Sequence, residues 1–292
     1  MAESLDSGRG RLWAPAERRL ARRISTGVPG LTGLLVGLFH AVLPAETAWG
    51  QASLASSSGF LITFDTTLFG VNNGAYTGSG LHHTPSTGQL DSDAWRVTGM
   101  NEGDTAFGGV HGAPSDFARG SSSPATTGGL YGFDVDPSVT TDRAFGFQPG
   151  SDDVTPGTFV LRIQNNTGST INRFRISFDI HVLNDQGRSN SLNAAYSTDG
   201  LAFTSLGVNY SSPGAADSTT FVLAATKTAE VSSGFSVADS AFFYILWATD
   251  DVSGSGSRDE LAFDDISISV PEPSAGAVLV VGAVGSLRRR RH

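Results

Sequence analysis

INRFRISFDIHV, residues 171–182, decides how this chain folds. Phe174, Ile176, Phe178, Ile180 and Val182 fall on one face of an extended chain, and Arg173, Arg175, Ser177, Asp179 and His181 on the other. Side chains alternate across a strand, so period two over a dozen residues predicts a half-buried antiparallel strand. Just before it, TFVLRIQ (158–164) alternates Phe159, Leu161 and Ile163 against Val160, Arg162 and Gln164. The link NNTGST supplies Asn and Gly for a turn, so the two segments are expected to pair as a hairpin.

Working outward, Asp199-Gly200 sits between apolar flanks and predicts a second hairpin. FVLAAT (221–226) and AFFYILWAT (241–249) follow; the latter is apolar on both faces and is expected at the centre of a sheet. ELAFDDISISV (260–270) is expected to close the domain and GFLITFDTTL (59–68) to open it. Residues 71–138 are rich in Gly, Ser and Asn. They predict loops with short strands near 94–97, 106–107 and 130–133. No part of this body carries a 3.6-residue amphipathic pattern, so residues 51–270 read as one all-β, antiparallel sandwich. Residues 51–138 form its loop-rich part and 139–270 its best-defined strands.

Composition agrees. The 292 residues are 39% hydrophobic and only 16% charged, too apolar for a disordered chain. There is no cysteine, which excludes disulfides, thiolate metal sites and a Cys nucleophile. Of 19 basic residues, six lie in 1–50 and four in 288–291, against 28 acids overall. The body is therefore acidic and has no electrostatic footprint for nucleic acid.

The two ends read as targeting segments. Arg18, Arg19, Arg22 and Arg23 precede an apolar run from Val28 to Leu43 and then AETAWGQA. Basic, apolar and small-residue regions in that order predict a secretory signal peptide over 1–50, with a helical apolar run, cut before Gln51 or after Ala52. Ser274 to Leu287 is a second apolar run. As a helix its 14 residues reach ~21 Å, short of a ~30 Å hydrocarbon core. Arg288, Arg289, Arg290 and Arg291 would hold its end on the cytoplasmic side.

Val-Pro-Glu-Pro-Ser, a short apolar helix and a terminal Arg cluster together resemble the PEP-CTERM sorting signal of Gram-negative bacteria. The resemblance covers residues 271–292. It implies that an exosortase, a membrane-embedded cysteine peptidase, recognises Pro271, Glu272 and Pro273 and cuts nearby. The protein would associate with the inner membrane transiently and then pass to the cell surface or extracellular matrix. Physically, the two prolines deny backbone donors and hold the chain extended, as a peptidase cleft requires.

The order LYGFDV, DRAFGFQPGS, TFVLRIQNNTGSTINRFRISFDI, FFYILWATDD and DELAFDDISIS is similar to a jelly-roll-like domain found upstream of such tails. LAFDDISI also resembles the last strand of carbohydrate-binding-module and MAM-type jelly rolls. That resemblance implies a jelly-roll-like sandwich and a candidate structural Ca²⁺ near Asp65 and Asp264 or Asp265. Calcium takes six to eight oxygens, so two or three carboxylates with carbonyls would suffice.

Other constellations are weaker. DVDPSVTTDRAF, from Asp134, lacks the Gly and Glu of a calcium loop. DDVSGSGSRDE (250–260) reads as a solvated hairpin loop. His82, His83 and His111 read as loop histidines, and His181 as lying on a polar strand face. Trp95, Phe107, Tyr131 and Trp247 are the aromatics considered for sugar stacking. Trp247 is expected in the core, and Trp95, between Asp93 and Arg96, is the one expected at a surface. No hydrolase elbow, phosphate loop or dinucleotide fingerprint occurs. The expectation is an exported, non-enzymatic surface or matrix protein with extracellular polysaccharide as candidate ligand. The alternatives are a secreted glycan-active hydrolase and a purely structural matrix protein.

Overall fold

The computed structural model describes residues 51–136, 138–139 and 141–272. The leader, Pro273, the apolar run 274–287 and Arg288–Arg291 lie outside the described residues, as do both expected terminal helices. Among the described residues there are fifteen strands and no helix. Short strands come first: β1 (Ala52–Leu54), β2 (Phe60–Ile62), β3 (Asn72–Asn73), β4 (Leu81–His82), β5 (Gln89–Asp91) and β6 (Trp95–Thr98). Longer ones follow: β7 (Gly129–Asp134), β8 (Arg143–Gln148), β9 (Gly157–Asn165), β10 (Phe174–Leu183) and β11 (Arg188–Ser197). The last are β12 (Thr204–Ser211), β13 (Val222–Val231), β14 (Phe242–Gly254) and β15 (Glu260–Ser269).

Two six-stranded sheets face each other as a sandwich. The first runs β1-β9-β14-β11-β12, with β6 also on β9; the second runs β13-β10-β15-β8-β7, with β2 also on β15. A small third sheet, β3-β5-β4, organises the region read as loop. The inward residues of β10 are those the alternation selected: Phe174, Ile176, Phe178, Ile180 and Val182 are all buried. They meet the inward face of β14, where Phe243, Ile245 and Trp247 are fully covered. Across the interface Trp247 stacks on Phe263 of β15, with ring centroids 4.8 Å apart and planes 9° from parallel.

Strand β14 lies between β9 and β11, the central place its two apolar faces indicate. Strands β11 and β12 pair as expected through the Asp199-Gly200 turn. Asp199 Oδ1 there accepts the amides of Leu201 and Ala202 at 2.8 and 2.9 Å.

Three expectations are corrected. Strands β9 and β10 do not form a hairpin. Strand β9 pairs with β14 in the first sheet and β10 with β13 and β15 in the second. The link crosses from one sheet to the other, where the side-chain Nδ2 of Asn165 donates to the carbonyls of Ser169, Val237 and Ala238. Both strands need their apolar faces on one core, and facing sheets satisfy that as well as a hairpin does. The described sandwich opens on β1, not on residues 59–68, and the strand expected there is shorter: β2 stops at Ile62, and Phe64 adopts a φ of 55°. No strand forms at 106–107.

Candidate functional site

Three places carry chemistry: an acidic pocket on the outer face of the second sheet, an arginine–aromatic face on the first sheet, and the point where the fold ends.

The acidic pocket follows from a β-bulge. Ser177 pairs with Ser267 but Asp179 pairs with Asp264, so β15 carries one extra residue there. Asp265 takes the strain, with a φ of 49°. The bulge lets Phe263 and Ile266 both stay in the core while Asp264 and Asp265 both reach the outer side. Asp264, Asp265, Asp179, Asp136, Asp142 and His181 line a pocket of about 420 Å³, walled by Val135, Phe221 and Leu223. Asp264 is only 3% exposed and its Oδ1 has no hydrogen-bond partner. Burial, reinforced by Asp265, Asp142 and Asp65, pushes its carboxyl up to about 9. Burial raises Asp142 and Asp265 as well, and lowers His181 against the pull of Asp179 and Asp136.

The three candidate calcium ligands thus share one neighbourhood, with unequal parts. Asp264 and Asp265 line the pocket, whereas Asp65 stands beside it with Oδ1 accepting the amide of Arg143 at 2.7 Å. Among the described residues no three Asp, Glu or His side chains are grouped closely enough to hold a metal ion. The orphaned Oδ1 of Asp264 and the acidic lining suit a cation chemically. The carboxylates as arranged do not form a cage.

On the outer face of the first sheet, Arg162 of β9 lies opposite Tyr244 of β14. Its guanidinium sits 4.5 Å from the centre of the Phe107 ring and 5.1 Å from that of Phe242. Arg96 of β6 approaches the same Phe107 ring at 5.3 Å. Cations over aromatic faces are mutually attractive. Burial lowers Arg162 from its ordinary value, opposed by Asp93, Tyr244 and Asp91. The Nε atoms of both arginines are buried without a partner. The face therefore carries a half-buried aromatic ring packed against two guanidinium groups.

Of the aromatics considered for sugar stacking, Phe107 belongs to this face. Trp247 is core, as expected. Trp95 is also 0% exposed, which corrects its surface placement: it alternates inward on β6 beside Phe145 and Trp247. Tyr131 is buried against Phe133. Sequence reading missed Arg162, whose only signal was its place on the polar side of a strand. His82 and His83 stack on each other, while His111 packs on Phe117 and bridges to Leu81. The 250–260 segment is not a solvated loop throughout. Strand β14 extends to Gly254, Arg258 clasps Asp251, and Asp259 and Glu260 are fully buried.

The sorting motif begins directly after the last strand. Strand β15 stops at Ser269, and the amide of Val270 donates to Ser57 at 2.9 Å. Pro271 follows at once, and Glu272, exposed, accepts only the hydroxyl of Ser57 at 3.3 Å among the contacts described. Among the described residues no helix is long and apolar enough to cross a membrane.

No family model matches the chain, and no curated protein does. Among solved structures, one similar chain is a carbohydrate-binding module specific for non-crystalline cellulose. It has 11% identity and a TM-score of 0.33, over 48% of this chain and 80% of that one. Another is the K1 cleaved adhesin domain of Lys-gingipain from Porphyromonas gingivalis W83, with 11% identity and a TM-score of 0.32, over 52% and 82%. A third, a carbohydrate-binding module in complex with β-1,4-galactotriose, has 16% identity and a TM-score of 0.27, over 51% and 89%.

Proposed function

We propose that this chain is an exported, non-catalytic surface or matrix protein. An exosortase processes it at Pro271, Glu272 and Pro273, and its sandwich binds extracellular polysaccharide through the Arg96–Phe107–Arg162 face. The observation that carries the reading is where the fold stops. Among the described residues the last backbone bond of the sandwich is made by Val270, and the next residue begins the motif. A peptidase needs an extended substrate free of a sheet, and prolines cannot extend the ladder. Cleavage here would release the sandwich intact, because among the described residues no core residue or residue packed against the core lies beyond Val270.

Polysaccharide is the ligand class the first-sheet face suits. Sugar rings present C–H faces to an aromatic ring and hydroxyl acceptors to guanidinium donors. Phe107 supplies the ring, and the guanidinium groups of Arg96 and Arg162 packed over it supply the donors. In a pull-down on matrix polysaccharide from the native cells, the protein is expected to bind without releasing sugar. Arg162→Ala combined with Phe107→Ala is expected to weaken binding at least tenfold while the fold is kept. Undiminished binding by the double variant, or no binding by the wild type, contradicts the ligand assignment. Sugar release by the wild type would favour a glycan hydrolase instead.

A further inference from the structure

At the other end of the second sheet, about 13 Å along β15 from Asp264 by strand rise, a separate group of oxygens is buried without donors. Phe147 of β8 pairs with Leu261, and Leu183 of β10 pairs with Glu260. Gln148, Glu260 and the end of β10 therefore stand side by side on three adjacent strands, facing outward. The turn after β10 is tied to the same spot, since the amide of Gln186 donates to Asp259 Oδ1 at 3.1 Å. The 121–128 loop covers it, with the amide of Ala125 on Glu260 Oε1.

Glu260 is 0% exposed and its Oε2 has no partner. Gln148 is 3% exposed; its Nε2 donates to the carbonyls of Arg258 at 3.0 Å and Pro149 at 3.4 Å. Both are acceptors, so the amide orientation is fixed and Oε1 is left without a donor. Asp185 Oδ1 is buried and unpartnered too. Every orphan of this group is an acceptor. Burial pushes Glu260 up to about 7, and Asp185 and Asp259 push the same way. The cation nearest in sequence, Arg258, is turned to Asp251 at 2.8 Å. Buried carboxylates persist when paired or coordinated.

We propose that Glu260, Asp185 and Gln148 hold a calcium ion beneath the 121–128 loop. The donor set is all oxygen, mixing carboxylate and amide, which suits a hard cation of flexible geometry rather than zinc, which favours nitrogen and sulfur. Backbone carbonyls and water complete the six to eight ligands calcium takes. The ion pins the covering loop and the 184–186 turn to the start of β15.

The test is calorimetric melting of the full chain after EDTA stripping, with and without millimolar calcium. Calcium is expected to raise the wild-type Tm by several degrees. Glu260→Gln loses that rise, and Asp264→Asn, in the other pocket, keeps it. In EDTA, Glu260→Gln is at least as stable as wild type, because a buried charge is gone. No rise in wild type, or a rise kept in full by Glu260→Gln, overturns the proposal. Should Glu260→Gln fail to fold, Asp185→Asn serves, read by terbium luminescence excited through the neighbouring Tyr131. At least tenfold weaker terbium binding in Asp185→Asn supports the site, and unchanged binding overturns it.

Discussion

Trp247→Ala is expected to cost about 3–5 kcal/mol of folding stability, the range for emptying a buried aromatic site. Trp247 stands mid-strand in β14, fully covered, where the two sheets meet. One face stacks on Phe263 at 4.8 Å, Phe178 meets it edge-on at 5.6 Å, and Trp95 lies 6.1 Å away. These neighbours belong to both sheets, so they cannot close over the void without moving one sheet against the other. A domain is stable by only ~5–15 kcal/mol, so the loss is a large fraction of the total. The indole Nε1 makes no hydrogen bond, so truncation forfeits packing and leaves no polar atom stranded. Trp247→Phe, which keeps a ring against Phe263, is expected to cost much less. Urea unfolding of the three proteins checks this; a Trp247→Ala loss below ~1 kcal/mol would mean that the sheets do not pack through this residue.

The second large effect concerns pH. Asp264 has its carboxyl pushed up to about 9 from an ordinary 3.8, chiefly by burial. A folded-state value above the unfolded one means that the native state holds the proton more tightly. Its contribution is full below about pH 4 and is lost as pH rises toward about 9, at up to ~1.4 kcal/mol per pH unit. Glu260 and Asp259, raised to about 7 and about 6, act in the same direction over narrower windows. In EDTA, wild-type stability is therefore expected to fall from pH 4 to pH 8. Asp264→Asn, neutral at every pH, flattens that fall and melts higher than wild type at pH 8. Parallel pH profiles for the two proteins would show that Asp264 ionises freely in the fold.

Much of the sandwich was legible because period two is a local property. Phe174 to Val182 needed only their own spacing to be placed inward, and AFFYILWAT needed only its two apolar faces to be placed centrally. Strand partners are not local. The β9–β10 link has turn chemistry, yet it crosses between sheets because each strand finds longer partners elsewhere. Trp95 misled through its neighbours: Arg96 is polar, but a strand turns adjacent side chains to opposite faces, Asp93 lies in the turn before β6, and only pairing with β9 fixes which face is core. Asp264 and Asp265 were visible as a pair, and Asp65 was brought near them. The bulge that aims both acids outward depends on the register with β10, which no residue type announces. Glu260 read as the end of a solvated loop. Its burial arises only where β8, β15 and β10 end together under a segment more than 130 residues earlier in the chain.

The central claim is delivery: a folded sandwich brought to the envelope and separated from its tail near Pro271. Intact-mass spectrometry of the mature protein from its native cells tests it most directly. The account predicts a C-terminus at or near Pro271–Pro273, without Arg288–Arg291, and an N-terminus near Gln51. A mature protein that still carries the four arginines would contradict it.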